Sequence, residues 1–295
     1  MLILTSIMTD GFLIVNKASG FTSHDVVAMA RKKFKTKKIG HAGTLDPMAT
    51  GVLVLGVGIG TKLLNFIMLG KKRYQATIRL GSSTTTDDRE GELINNFDTS
   101  KITDEEIKSS LKKFVGKIMQ TPSSVSAIKI AGKSAHERVR AGEEVDIPAR
   151  AVEIYELNLI SINRIEEYID IEIDVSCSSG TYIRSIARDL GRYLNNGGHL
   201  TKLNRSEVAP FQLNESAELE DVQLISIADG LSRIMPCRTL TLDEERELFY
   251  GRPISKSESE LTASFKTNGE FAALLTNREQ AGKILSFPSL VNVKE

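Results

Sequence analysis

The sequence predicts an α+β fold with mainly antiparallel strands flanked by helices, followed by a small β-rich domain at the C terminus. Two β-rich runs of alternating polarity, "VEIYELNLISIN" and "YIDIEIDVSCS", follow one another along the chain, which is typical of antiparallel strands. Amphipathic helical patterns are mixed with the strands along the chain. After residue 235 the chain changes to short apolar runs separated by Gly and Ser turns. Together these observations predict one main domain and one small domain.

The sequence of the first part of the main domain predicts strands and a helix around a glycine-rich loop. The apolar run "FLIVN", which begins at Phe12, predicts a short buried strand. The segment "SHDVVAMARKKFK" predicts a helix with Ser23 as N-cap, Asp25 in the first turn and Val27 on the apolar face. This helix ends in the basic run 31–38, and the strand "VLVLGV" follows the loop.

The middle of the chain continues with alternating elements. The helix "TKLLNFIML", the strand "RYQATIRLG" and the polar turn "TTTDDREGE" come first. The segment "TDEEIKSSLKKFVG" predicts a helix with a capping box from Thr103 to Glu106. Residues 121–150 are rich in small and polar side chains, so we expect an excursion from the core. The segment "TYIRSIARDLGRYL" predicts a further helix, which Gly180 and Thr181 can start.

We expect the main domain to span residues 9–235 and the small domain to span residues 236–295. The runs "RTLTL", "GEFAALLT" and "GKILSF" predict strands in the small domain. Its length of roughly 60 residues is near the lower limit for an independent core.

Composition limits the classes of function. The chain of 295 residues has 41% hydrophobic residues and equal numbers of basic and acidic residues, 38 of each. Any contact with nucleic acid must therefore come from local basic patches. Cys177 and Cys237 lack metal or CxxC spacing, so we expect two reduced thiols in a cytoplasmic protein. No apolar stretch is long enough to span a bilayer, and the start lacks the basic region and cleavage site of a signal peptide.

Three common site motifs are not found in the sequence. The stretch "GVGIGTK" departs from a phosphate loop because Thr61 precedes the lysine and Leu63 follows it. The four histidines, at positions 24, 41, 136 and 199, lack ligand spacing, so we expect no metal site. A G-x-S-x-G nucleophile elbow does not occur in the sequence.

The loop "GHAGTLDPMATGVLVLGVG", residues 40–58, carries one carboxylate, Asp46, and one histidine, His41. One interpretation is a turn in which Asp46 caps its own backbone before Pro47. The flanking glycines favour another, because they permit unusual dihedrals and close approach of a ligand. In that interpretation Asp46 is a catalytic group on a loop at the end of a buried element.

Two other positions also have a structural and a functional interpretation. Arg184 lies among isoleucines in the first turn of its helix. It is either a surface arginine paired with Asp189 or an inward-pointing guanidinium that keeps a catalytic carboxylate ionised. Tyr74 follows three basic residues and either packs within its strand or stacks on a nucleobase.

These pieces together resemble the bacterial tRNA pseudouridine synthase family that modifies the T-loop uridine, the TruB type. The matching pieces stand in family order from residue 12 to about 211: "VNKASGFTSHDVV", "GHAGTLDPMATGVL", "KRYQATIRLG", "PSSVSAIKIAGKSAHERVRAGEEV", "SSGTYIRSIARDLG" and "HLTKLNRSEVAPF". The match to G-H-x-G-x-L-D-P-x-A-x-G is very specific. The resemblance implies a pseudouridine synthase fold with a mixed, mainly antiparallel central sheet, and a PUA-like C-terminal domain.

The resemblance implies an isomerase without a cofactor that cuts the bond between ribose C1′ and uracil N1, turns the base and rejoins it through C5. Asp46 matches the catalytic aspartate, which either acts at the anomeric carbon or removes the C2′ proton. The sequence leaves both routes open. Water must be excluded, because the detached base has to be recaptured. Tyr74 matches the tyrosine that stacks on the base and helps with the C5 proton, and Arg184 matches the arginine paired with the catalytic acid.

Other matches imply substrate binding. His41 matches a histidine that helps hold the target base flipped out, Asp88 an acid in the network around the arginine, and Tyr182 and Leu203 residues that shape the pocket. Residues 121–150 match a segment that closes on the tRNA T-arm. Cations of "RKKFKTKK" and "KKR" would contact phosphates. The implied protein is a cytoplasmic monomer whose partner is tRNA, with no membrane, metal or small-molecule cofactor.

The chain departs from the family pattern at Ala18, Thr85, Val125 and Asn204, which bears on RNA affinity and loop order more than on chemistry. The alternative function is an RNA-binding or RNA-folding protein without chemistry, against which the intact set of Asp46, Tyr74 and Arg184 argues. A hydrolase would need a second acid, and the best candidate for it is Asp88 in its polar turn.

The first seven residues are apolar and precede a second methionine, Met8. An exposed apolar tail is unfavourable, so these residues either form an extra edge strand, pack on the core or derive from an upstream start. We expect Met8 to be the natural initiator.

Overall fold

A computed structural model of the protein describes residues 10–123, 129–130, 133–134 and 147–292. The expectations for Met8 and Val125 fall outside the described residues, as does most of the 121–150 excursion.

The described chain contains the following helices and strands. The helices are α1 (Ser23–Lys33), α2 (Gly60–Met68), α3 (Asp104–Lys112), α4 (Ile183–Tyr193), α5 (Ile227–Ser232) and α6 (Leu242–Phe249), with a 3₁₀ turn at Leu213–Glu215. The strands are β1 (Gly11–Lys17), β2 (Ile39–His41), β3 (Thr50–Val57), β4 (Lys72–Leu80), β5 (Ser82–Thr84), β6 (Leu93–Asn96), β7 (Gly116–Gln120), β8 (Lys129–Ile130), β9 (Lys133–Ser134), β10 (Arg150–Ile165), β11 (Tyr168–Cys177), β12 (Gly198–Val208), β13 (Phe211–Gln212), β14 (Cys237–Thr239), β15 (Ile254–Ser255), β16 (Leu261–Phe265), β17 (Phe271–Gln280) and β18 (Lys283–Val291).

The central sheet is mixed and mainly antiparallel, as predicted. In the described chain its order is β1-β3-β12-β4-β11-β10-β7, with β2 beside β3 and β13 beside β12. The pair β12 and β3 is parallel, whereas β1 and β3, β4 and β11, and β4 and β12 are antiparallel. The long strands β10 and β11 form the antiparallel pair that their alternating polarity predicts.

The two apolar faces of this sheet explain why its first strands are continuous apolar runs. Successive side chains of a strand point to opposite faces, so Leu13 and Val15 join the core cluster beneath α1, α3 and α4. Phe12 and Ile14 join the second cluster, beneath α2 and α5. Because both faces of β1 and β3 are covered, neither strand needs a polar face.

The C-terminal sheet has the order β14-β16-β17-β18-β15 and lies wholly after residue 236. Phe265, Phe271 and Leu274 from this sheet belong to the same apolar cluster as Phe12 and Leu63 of the main domain. A smaller apolar cluster that includes Leu240 and Leu275 completes the core of the C-terminal sheet. A unit of about 60 residues is near the lower size limit for an independent core, and part of its apolar surface is buried against the central sheet.

Two predicted helix starts are shifted. The N-cap of α1 is Thr22 and not Ser23: the Thr22 hydroxyl accepts from the Asp25 amide at 3.0 Å, and the Asp25 carboxylate accepts from the Thr22 amide at 2.8 Å. The buried Ser23 hydroxyl is used elsewhere, in contacts with the Leu45 backbone. Helix α4 has Tyr182 as N-cap, two residues after Gly180. The capping box of α3 is as predicted, and Cys177 and Cys237 are free thiols.

Candidate active site

The loop that carries Asp46 joins β2 to β3 and is built on two glycines with positive φ. Gly43 has φ +93° and Gly51 has φ +102°, a region that side chains with a Cβ rarely adopt. A Cβ at Gly51 would also lie 2.3 Å from the Arg205 carbonyl oxygen. The Ser23 hydroxyl holds the loop through both backbone groups of Leu45, at 2.8 and 3.2 Å. Asp46 is therefore presented from a constrained loop with a glycine at each end.

Asp46 does lie in a turn, since the Ala49 amide donates to its carbonyl at 3.0 Å. Its carboxylate, however, is bound by Arg184 at two points. Arg184 Nε lies 2.9 Å from Oδ2, and Nη2 donates to Oδ1 at 3.0 Å. Such a fork fixes the plane of the carboxylate and favours its ionised form.

Arg184 lies in the first turn of α4 and its side chain is only 5% exposed. The inward-pointing interpretation of this arginine agrees with the structure. The pairing with Asp189 belongs instead to Arg188, one turn later, which is 14% exposed and lies 2.9 Å from Asp189 and 3.3 Å from Asp87. The long-range contact with Asp46, 138 residues away in the chain, thus distinguishes two arginines that share a helix.

Asp88 is the second carboxylate of this network. Its Oδ2 lies 3.4 Å from Arg184 Nη1, which also donates to the Thr86 carbonyl at 2.9 Å. Its Oδ1 accepts from the Thr86 hydroxyl at 2.5 Å and from the Glu90 amide at 3.0 Å. The polar turn is as predicted, yet Asp88 is almost fully buried. The turn therefore binds Nη1 of Arg184, the guanidinium nitrogen that does not contact Asp46.

One guanidinium consequently serves two carboxylates. Burial raises the pKa of Asp46; the Arg184 guanidinium opposes this rise, and the Asp88 carboxylate adds to it. The Asp46 side chain retains 29% exposure, so a substrate can reach it although neighbouring atoms enclose the carboxyl group.

Tyr74 lies in the middle of the central sheet, in β4. It is opposite Val175 of β11 and Arg205 of β12, and 8% of the residue is exposed. Burial raises the pKa of its phenol, whereas the charge of Arg205 opposes the rise and that of Asp46 adds to it. The charges of Asp46 and Arg205 thus both affect the pKa of Tyr74.

The remaining predicted site residues are Leu203, Tyr182 and His41. Leu203 is buried in β12 opposite Ala76. Tyr182 precedes Arg184 by two residues; Gln120 binds its backbone at 2.8 and 3.0 Å, and the Arg150 guanidinium carbon lies 4.9 Å from its ring centre. His41 packs instead against His24, with ring centres 5.3 Å apart. Burial lowers the pKa of His41.

A cleft of about 570 Å³ opens beside the network. Met48 and Leu203 line it, together with polar groups that include Ser19, Thr50 and Lys202. Asp46 itself is not among the lining residues, although Met48 of the same loop is.

The chain is similar to known proteins over nearly its whole length. Residues 31–183 match the model of the TruB family pseudouridylate synthase, N-terminal domain. The tRNA pseudouridine synthase B of Corynebacterium efficiens is 46% identical over 286 residues, covering 95% of both chains. That of Thermobifida fusca is 44% identical, covering 92% of this chain and 96% of the relative.

The chain belongs to the TruB family of pseudouridylate synthases. Solved structures agree on the fold. A chain of an H/ACA RNP bound to a substrate RNA containing 2′-deoxyuridine superimposes with a TM-score of 0.70 at 20% identity, covering 97% of this chain and 86% of that chain. A chain of a Cbf5-Nop10-Gar1 complex superimposes with a TM-score of 0.68 at 22% identity, covering 98% and 85%.

Two buried cations of this TruB-family site were not predicted from the sequence. The Lys17 ammonium donates to the carbonyls of Ala18, Phe21 and Pro47 at 2.9, 2.7 and 3.2 Å, and burial lowers its pKa to about 8. Arg205 is buried against the Asp46 loop. For Lys17 the available signal was a cation at the end of an apolar strand. Arg205 lies in a strand of mixed polarity, which gives no such signal.

In the parts of the chain that the structure describes, no group of three or more His, Cys, Asp or Glu side chains could hold a metal ion. None of the described helices is both long and apolar enough to cross a bilayer.

Proposed function

We propose that the protein isomerises the T-loop uridine of tRNA to pseudouridine, with Asp46 as the catalytic carboxylate. The observation that carries the proposal is the two-point contact between Asp46 and the buried Arg184, beside an open cleft. Relatives named tRNA pseudouridine synthase B over nearly the whole chain support tRNA as the substrate.

The chemistry assigned to Asp46 requires an ionised carboxylate. Cleavage of the bond between C1′ and N1 leaves an electron-poor sugar and a uracil anion. Asp46 then either bonds to C1′ or removes the C2′ proton to give a glycal, and both routes begin from the anion that Arg184 stabilises. After the base turns, C5 bonds to C1′, C5 loses its proton and N1 gains one. The isomerisation therefore consumes no net proton.

Tyr74 is assigned to the target base, in stacking and in the transfer of the C5 proton. His41, Asp88, Tyr182 and Leu203 are assigned to binding the substrate or shaping its pocket. The apolar residues around Asp46 support water exclusion, because Leu45, Met48 and Ala49 of the same loop are buried in the core.

The geometry argues against a hydrolase. A two-acid glycosidase places its carboxyl groups on either side of the scissile bond. Asp46 and Asp88 instead bind the same guanidinium, and Asp88 is buried within its own turn. This leaves Asp46 as the accessible acid of the pair, which suits a reaction without an activated water.

Contacts with RNA phosphates are assigned to a local basic patch on the run 31–38. Lys32, Lys35, Lys37 and Lys38 are exposed, so their charges are available to phosphates. In the second run, "KKR", Lys71 is exposed, but Lys72 is buried and donates to the Met68 and Gly70 carbonyls. Lys72 is therefore not available for the expected phosphate contacts. Its ammonium group binds carbonyls at the C-terminal end of α2 instead.

We also assign residues 236–295 to a second, PUA-like RNA-binding surface, and the protein to the cytoplasm as a monomer. A single chain supplies Asp46, Tyr74, Asp88 and Arg184, which supports a monomeric site. Light scattering during gel filtration, with and without tRNA, would reveal an obligate dimer and so contradict this assignment.

The function is tested with an unmodified tRNA transcript. After incubation, carbodiimide treatment and primer extension should show a stop at the T-loop uridine, and a transcript with cytidine at that position should show none. An Asp46→Asn protein serves as the matched control for contaminating activity. If wild-type protein in excess leaves the transcript unmodified, or modifies another position, the proposal is wrong.

A further inference from the structure

Arg205 is a fully buried arginine that binds the catalytic loop. It is 1% exposed, and its guanidinium donates to three carbonyls. Nε donates to Val52 at 2.8 Å, Nη1 to Thr44 at 3.3 Å and Nη2 to Gly43 at 3.1 Å. Gly43 and Thr44 come three and two residues before Asp46. The guanidinium thus ties β12 to the start of the loop that presents the carboxylate.

The charge of Arg205 is not neutralised like that of Arg184. Arg184 lies between two carboxylates, whereas carbonyl oxygens are the partners of Arg205, and no carboxylate of the described residues forms an ion pair with it. Burying an unpaired cation is costly. A smaller apolar residue could fill this position in the sheet, so the cost indicates that the charge itself has a use.

The nearest group of the proposed chemistry is Tyr74. Arg205 and Tyr74 are register partners in the antiparallel pair of β12 and β4, so their side chains leave the sheet on the same face, and the charge of Arg205 acts on the Tyr74 phenol. A guanidinium can only donate hydrogen bonds, so the phenol oxygen faces a fixed positive charge. That charge counteracts the effect of burial on the pKa of Tyr74.

Burial also excludes a simpler role for Arg205. A side chain with 1% exposure cannot reach a phosphate. Any effect of Arg205 on the reaction must therefore pass through the groups beside it, which are the Asp46 loop, Val52 of β3 and Tyr74.

We propose that Arg205 is a positioning residue of the isomerisation: it holds the Asp46 loop against β12 and keeps a positive charge beside the Tyr74 hydroxyl. This inference rests on the proposed function for its kinetic consequence. In the reaction, the loop contact sets where the carboxylate meets the sugar, and the charge stabilises the Tyr74 phenolate, which becomes a neutral phenol when it accepts the C5 proton.

The kinetic test compares Arg205→Lys, which keeps the charge but loses the fork, with Arg205→Met, which loses both. Single-turnover rates with tRNA should fall roughly tenfold or more for the lysine variant and about 100-fold for the methionine variant. The Kd for tRNA should stay within about threefold of wild type, since phosphate contacts dominate affinity. Arg79→Lys is the matched control, because Arg79 in β4 also forms a two-point pair, with Asp170 at 2.8 Å.

A second readout does not depend on activity. Difluorotyrosine at position 74 has a more acidic phenol, which can be titrated by ¹⁹F NMR while the protein stays folded. We expect Arg205→Met to raise its pKa by roughly one unit and Arg205→Lys to change it less. This shift tests whether a positive charge lies beside Tyr74, and it does not depend on activity. Failure of the wild-type protein to modify tRNA would refute the proposed function alone.

Three results would overturn the inference. One is a folded Arg205→Met protein with a wild-type single-turnover rate. Another is an unchanged titration of the fluorinated tyrosine in that variant. The third is a lysine variant that does not fold at any temperature tested, because the residue would then serve the fold and not the reaction.

Discussion

Replacing Arg184 with lysine should remove most of the activity although the positive charge is kept. The guanidinium reaches Asp46 with two nitrogens, at 2.9 and 3.0 Å, and its third nitrogen reaches the Thr86 carbonyl at 2.9 Å and Asp88 at 3.4 Å. An ammonium group is a single point on a flexible chain. It can approach Asp46 or the Asp88 turn, but it cannot span both.

The contacts set the magnitude of this effect. A hydrogen bond to a charged group contributes roughly 1.5–3 kcal/mol. If lysine keeps one contact with Asp46 and loses the second contact and the link to Thr86, about 3 kcal/mol is lost from the arrangement. Expressed in the transition state, that is a rate reduction of roughly 100-fold. The same loss also loosens the Asp88 turn, so the melting temperature should fall.

The assay is a single-turnover measurement with excess enzyme and unmodified tRNA, compared at equal folded protein. Arg192→Lys is the control, because Arg192 is on the same helix, is 70% exposed and pairs with Asp189 within one turn. Exposed pairs of this kind contribute little, so its rate should equal that of wild type. A lysine variant at position 184 with a rate within about threefold of wild type would refute the reasoning about the two-point contact.

Three further predictions follow from the same site and from the shared core. Asp46→Asn should abolish isomerisation and leave the Kd for tRNA within several-fold, because phosphate contacts dominate binding; turnover near the wild-type rate would contradict the role of Asp46. Asp88→Asn should shift the acid limb of the pH–rate profile to lower pH. Asp46 must be ionised, and the Asp88 charge adds to the rise of its pKa, so removing that charge lowers the pKa; an unmoved limb would contradict this. Removal of residues 237–295 should weaken tRNA binding and leave slow modification at the correct site. It should also lower the melting temperature, because Phe265 and Leu274 leave the cluster that they share with Phe12; a folded but wholly inactive truncation would contradict the first part.

Helix and strand positions were largely predictable from the sequence, because local patterns control them. Alternating polarity identified β10 and β11, and a Thr and Glu three residues apart identified the start of α3. The shift at the start of α1 has a local cause of the same kind, since two adjacent hydroxyls could each cap the helix. The Ser23 hydroxyl accepts a hydrogen bond from the Leu45 amide, in a loop 22 residues away. This competing contact cannot be read from the helix sequence.

The candidate site was predictable where a motif with specific spacing carries the chemistry. Asp46 stands in such a motif, whereas the isoleucines around Arg184 left a surface and an inward-pointing interpretation of this arginine both open. That the two meet, and that Asp88 shares the same guanidinium, are contacts between segments far apart in the chain. The family resemblance implied this network, whereas composition and periodicity did not.

The sequence by itself determined the α+β class, most elements of the central sheet and the loop that carries Asp46. Only the tertiary structure decided which cations are exposed. Lys37 and Lys38 face solvent, whereas Lys17, Lys72 and Arg205 are buried against carbonyl oxygens. It also decided that the C-terminal sheet shares a core with the main domain. The physical reason is that burial depends on which distant segments cover a side chain, and the carbonyls that compensate a buried cation belong to the backbone, which leaves no pattern in the sequence.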